Sequence, residues 1–146
     1  MPPPNEYICS KFDIIANAQK SSSLVNSMPR KLDGDDIELW FKMDNKFLLP
    51  HGFINCYMIS PKIFKSTRNI ILASLYSMTV KHYLSEKLYP AICAGLGYSI
   101  SSAERGLLIR LSGYSEKLPI LLDCIAKELK NIPNQIESTV FETYRK

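Results

Sequence analysis

The stretch Gly97-Tyr98-Ser99-Ile100-Ser101-Ser102-Ala103-Glu104-Arg105-Gly106-Leu107-Leu108-Ile109-Arg110-Leu111-Ser112 decides the fold. Residues 98–102 and 107–112 read as strands, and the segment between them, Ala103-Glu104-Arg105-Gly106, is long enough for a hairpin. In the second strand Leu107, Ile109 and Leu111 share one face, while Arg110 and Ser112 share the other. One buried and one wetter face is the mark of an antiparallel sheet covered on one side.

Working downstream, Ser115 or Glu116 opens a helix with Pro119 in its first turn, where the missing N–H is no loss. Leu118, Leu122, Ile125 and Leu129 then recur at helical spacing and make this the cleanest amphipathic helix in the chain. Pro133 ends it, and a last helical segment from Asn134 carries Ile136, Val140 and Tyr144. Upstream, Pro90 suits the first turn of a short helix through Ala94, with Gly95 a better C-terminal cap than Gly97. Ser66 or Thr67 caps a long helix to about Ser85. Its inward stripe is read as Ile71, Leu75 and Met78, widened by Leu72, Tyr76 and Tyr83. Residues 53–59 are apolar on both faces and read as a central strand ended by Ser60-Pro61; residues 38–43 read as a strand closed by Asp44-Asn45-Lys46. The order β, β, α, α, β, β, α, α predicts an α+β fold, a largely antiparallel sheet with helices packed on one face.

Residues 1–37 have a different texture, with Pro2-Pro3-Pro4, Lys20-Ser21-Ser22-Ser23 and the acidic turn Asp33-Gly34-Asp35-Asp36. They are expected to form an extended arm or linker, and 38–146 the globular part. At 146 residues and 46% hydrophobic, the chain is long enough to bury a core without disulfide or metal staples. Its 18 basic and 14 acidic residues give only +4, and they are interspersed, as in Glu104-Arg105 and Glu116-Lys117. That is a solvated surface with no basic stripe for nucleic acid. No apolar run approaches the about 20 residues of a membrane span, and the first residues carry no signal-peptide core.

Chemistry-bearing motifs are scarce. Cys9, Cys56, Cys93 and Cys124 lack the close spacing of a zinc knuckle or a thiol redox site, so free, mostly buried thiols in a reducing compartment are expected. The only histidines are His51 and His82. His82 and Glu86 lie one helical turn apart and could reach one ion, but a catalytic zinc needs a third protein ligand. Neither the His-Glu-x-x-His arrangement nor its inversion occurs. Gly97-Tyr98-Ser99 is no nucleophile elbow, because Ser101 stands where the closing glycine would be, and Ser99 reads as a strand residue. Gly95-Leu96-Gly97 is too short to cradle a phosphate, and Asp35-Asp36 falls in the expected arm.

Leu39-Trp40-Phe41-Lys42-Met43-Asp44-Asn45-Lys46-Phe47-Leu48-Leu49-Pro50, with a strand ending in Ser60-Pro61, resembles the start of the third domain of the insulysin and nardilysin family, the pitrilysin-type (insulinase) zinc metallopeptidases. Ala94-Gly95-Leu96-Gly97-Tyr98 and Leu111-Ser112-Gly113-Tyr114-Ser115-Glu116-Lys117-Leu118-Pro119-Ile120-Leu121-Leu122 are similar to the same domain in the same order, and Pro4-Asn5-Glu6-Tyr7-Ile8 to the segment leading into it. The resemblance implies four related α+β domains closing around a chamber in which peptides are hydrolysed. Zinc sits in the first domain, on an inverted His-x-x-Glu-His helix. The matching helix here carries Val80-Lys81-His82-Tyr83-Leu84-Ser85-Glu86 and no such motif.

The resemblance therefore implies no catalytic, cofactor-binding or metal-ligating residue in this chain, and zinc only in the parent enzyme. The chain would supply chamber wall and inter-domain contacts as part of a domain that continues past Lys146. Its partners would be the parent's other domains and peptide substrates. Self-association through an exposed sheet edge is expected of the piece alone. A stand-alone peptide- or subunit-binding module of the same fold is the alternative, and a natural stop at Lys146 would favour it. Free thiols and insulysin-like relatives make the cytoplasm the expected location.

Overall fold

The computed structural model describes residues 4–12, 28–34, 37–44 and 46–132. The chain forms two compact units: Phe12–Pro50, and Met1–Lys11 together with His51–Lys146. In the smaller unit β1 (Arg30–Asp33) pairs antiparallel with β2 (Glu38–Phe41), Arg30 opposite Phe41 and Asp33 opposite Glu38. The Glu38 carboxylate lies 3.6 Å from Lys31 Nζ and accepts a 2.7 Å hydrogen bond from Trp40 Nε1. Leu32, Leu39, Trp40 and Phe41 stay exposed, as in an isolated two-stranded ribbon. Asp44 Oδ1 then accepts the backbone N–H of Lys46 and Phe47, each at 3.0 Å, the side-chain turn expected there.

The larger unit runs β3 (His51–Ile59), α1 (Thr67–Lys87), α2 (Tyr89–Cys93), β4 (Gly97–Ala103), β5 (Gly106–Tyr114) and α3 (Leu118–Asn131). Its sheet is antiparallel throughout, in the order β3-β5-β4. The expected hairpin is thus β4-β5, and the α+β layer is as the sequence predicts. Among the described residues the centre of the sheet is β5, however, and β3 is an edge strand. Only its Ile54 and Cys56 pack toward the core; Phe53 on the opposite face is 78% exposed. β3 and β5 approach so closely that a Cβ on Gly106 would stand 1.8 Å from the Met58 carbonyl oxygen, a position open to glycine alone. Gly95, at φ +82°, closes α2 in the left-handed conformation expected of a helix exit.

The core joins Ile100, Leu107, Ile109 and Leu111 of the sheet to Val80 and Leu84 of α1 and to Leu118, Leu121 and Ile125 of α3. Ser66 caps α1, its Oγ accepting the Asn69 N–H at 3.2 Å. The stripe expected to face inward on α1 does not. Ile71 is 60% and Met78 51% exposed, with only Leu75 of that stripe buried. Val80 and Leu84, flanked by Tyr76 and Tyr83, form the packed face. At about 100° per residue this face lies on the other side of the helix. Both sides of α1 are apolar, so spacing alone does not choose between them.

Two features correct the expected arm over 1–37. Its residues 30–33 form β1, and Tyr7 is buried in the core of the larger unit, to which Asn5 also bonds, Nδ2 donating to the Pro90 carbonyl at 2.7 Å. The last expected helix, from Asn134, lies outside the described residues.

Candidate functional site

His82 and Glu86 lie on an exposed part of α1. Among the described residues no group of three His, Cys, Asp or Glu side chains is placed to hold a metal ion. Ser99 is an exposed residue of β4. The thiols differ from expectation: Cys9, Cys56 and Cys124 are half-buried and Cys93 is exposed, all of them free. Cys56 and Cys124 sit at the margin of the core, where a small side chain fills space without being enclosed. No described helix is long and apolar enough to cross a membrane.

Two polar junctions that spacing did not reveal tie the elements together. The first joins α1 to α3. Glu128, 8% exposed, accepts a 2.5 Å hydrogen bond from Lys87 Nζ and a 3.2 Å one from Tyr83 Oη. The Lys87 ammonium is held above its ordinary pKa, chiefly by that hydrogen bond to Glu128. A buried carboxylate left without these donors would be costly, so the junction fixes how the helices dock.

The second junction is a carboxylate clasp. Glu116, in the turn before α3, accepts the backbone N–H of Lys11 at 2.8 Å and of Ser10 at 2.9 Å. It also accepts the Ser10 hydroxyl at 3.0 Å and the Cys9 thiol at 3.1 Å. These donors, the Lys11 N–H first among them, hold the Glu116 carboxyl well below the usual carboxylate range. Desolvation, reinforced by the neighbouring carboxylate, pushes the Cys9 thiol up, opposite to what a nucleophilic cysteine requires. Burial likewise raises the Tyr7 phenol. Neither junction is arranged for acid, base or nucleophilic chemistry. Their geometry is that of fasteners, one holding α1 to α3 and the other holding residues 9–11 to the turn before α3.

The remaining surface features are apolar. On α1, Ile71 and Met78 lie exposed on a side opposite Val80, and Ile70 and Leu72, exposed as well, lie off that side near the start of the helix. On β3, Phe53, Tyr57 and Ile59 are exposed on the sheet face away from the core.

Comparison with known proteins points in one direction. The family model described as the middle or third domain of peptidase_M16 matches residues 1–146. Nardilysin of Rattus norvegicus is 35% identical over 129 residues, covering 86% of this chain and 10% of nardilysin. Insulin-degrading enzyme of Bos taurus is 32% identical over 142 residues, covering 97% of this chain and 13% of that enzyme. The crystal structure of pitrilysin superposes with a TM-score of 0.80 at 21% identity, over 99% of this chain and 15% of pitrilysin. The chain thus spans between a tenth and a seventh of the length of the relatives it matches.

Proposed function

The chain belongs to the M16 peptidase family, through that family's middle or third domain, and on this premise we propose that it is a non-catalytic part of an insulinase-like zinc metalloendopeptidase. Its role there is to supply chamber wall and inter-domain contacts, while zinc and the hydrolytic step belong to another domain of the parent. One observation carries this reading. α1 is apolar on two sides; Val80 and Leu84 are buried in the core, and Ile71 and Met78 lie exposed on the other side. A helix sandwiched between its own sheet and a neighbouring domain needs two such sides.

The side chains support a scaffolding role for this segment. His82 and Glu86 share an exposed turn of α1 without a third ligand of the described chain beside them. Metal-activated water would come from the parent's zinc domain. The free cysteines suit a cytoplasmic parent, and the edge strand β3 gives the piece alone a route to self-association.

Zinc analysis and a quenched fluorogenic-peptide assay, run on this chain and on the full-length parent, test the reading. The parent is expected to hold stoichiometric zinc and lose cleavage to a chelator, and this chain to do neither. Stoichiometric zinc with chelator-sensitive cleavage by the chain alone would overturn it, and His82 and Glu86 would become the first residues to replace.

A further inference from the structure

We propose that the open face of the β3-β5-β4 sheet carries a subsite for an acidic side chain of an extended peptide, centred on Arg110; this rests on the reading that the domain lines a peptide chamber. The register places Asn55 and Ser99 directly opposite Arg110, one on each neighbouring strand. Cross-strand pairs share a face, so these three form a polar row across the sheet. Ile109 and Leu111, on either side of Arg110 in sequence, are buried, and Arg110 is exposed on the opposite face.

Charge singles out the ligand. β3, β4 and β5 contain no aspartate or glutamate, so no side chain within the sheet compensates the Arg110 cation. Among the described residues Arg110 makes no ion pair, and the side chains of Asn55 and Ser99 make no hydrogen bond. A guanidinium presents a planar fork of donors that matches a carboxylate, and a flanking amide and hydroxyl add donors beside it. One row along, Tyr57 and Leu108 stand opposite each other on the same face. Rows on one face of a strand repeat every about 6.8 Å, the spacing between residues i and i+2 of an extended peptide. A glutamate over Arg110 therefore brings the residue two positions on over Tyr57 and Leu108, where an aromatic or aliphatic side chain fits.

Fluorescence anisotropy with a labelled ten-residue peptide bearing Glu-Thr-Phe at its centre, at low salt, tests the subsite on the 146-residue chain. Its Gln-Thr-Phe counterpart is the control. The glutamate peptide is expected to bind about tenfold more tightly than the glutamine one, as a charge-assisted pair implies, and the advantage should shrink with added salt. Arg110→Gln should abolish the preference and Arg110→Lys retain part of it. Tyr57→Ser should weaken both peptides alike, with circular dichroism unchanged in all three variants.

Equal affinity for the two peptides, or a preference that survives Arg110→Gln, would overturn the subsite. So would light scattering that shows a dimer dissolved by Arg110→Gln, because the face would then be covered by a second copy. The binding measurement needs no zinc and no cleavage, so a negative result here leaves the zinc and cleavage tests of the chamber role to stand or fall separately.

Discussion

α1 and α3 flank the same core but are built on different plans. α3 has one apolar side and buries it through Leu118, Leu121 and Ile125, leaving Asp123 and Lys127 to pair in solvent at 2.5 Å. α1 buries Val80 and Leu84 on one side and leaves Ile71 and Met78 outside on the other. Among the described residues α3 buries its apolar side, whereas α1 carries apolar side chains that its own sheet does not cover.

The comparison is open to attack by mutation, and the largest effects belong to the buried sides. Leu84→Ala on α1 and Ile125→Ala on α3 each empty a fully buried site and should cost about 2–5 kcal/mol, read from urea unfolding of the chain. A loss below about 1 kcal/mol at Leu84 would mean that its side of α1 is not the packed one. Ser66→Ala removes the hydroxyl that caps α1 and is expected to cost about 1 kcal/mol by the same measurement.

The clasp adds a pH dependence without touching either helix core. Glu116 has a folded pKa below its ordinary 4.5, so its contribution to stability is fully present above pH 4.5 and is lost as pH falls from there toward the depressed folded value. Glu116→Gln should therefore be less stable than the parent chain at neutral pH, with the gap narrowing only below pH 4.5. A gap independent of pH in thermal melts would assign the clasp to packing alone. The smallest effect is expected on the outer side of α1: Ile71→Ser in the isolated chain should change stability by no more than about 0.5 kcal/mol.

The same contrast explains what could be read without coordinates. The β4-β5 hairpin and the Gly95 exit each rest on one local signal, an alternation or a permissive backbone, and the fold places them as that signal requires; the α3 stripe holds at Leu118 and Ile125, with Leu121 enclosed and the expected Leu122 and Leu129 only half-buried. On α1 the stripe read from spacing, Ile71, Leu75 and Met78, competes with Tyr76, Val80 and Leu84, and β3, apolar on both faces, is an edge strand among the described residues. Tyr7 and Glu116 escaped because they act across about a hundred residues of chain: a lone aromatic in a polar segment and a carboxylate in a turn carry no periodic signature. The lack of a zinc motif was legible in residue types alone. The Arg110 row required the register, which sets Asn55 and Ser99 beside it.

The most direct test of the two-sided helix is the double variant Ile71→Ser, Met78→Ser, made both in this chain and in the full-length parent. The account predicts near-unchanged unfolding of the chain alone, and in the parent a lower unfolding midpoint and reduced peptide cleavage with zinc content intact. Equal, negligible effects in both settings would contradict it, because the outer side of α1 would then face solvent in the whole protein as well.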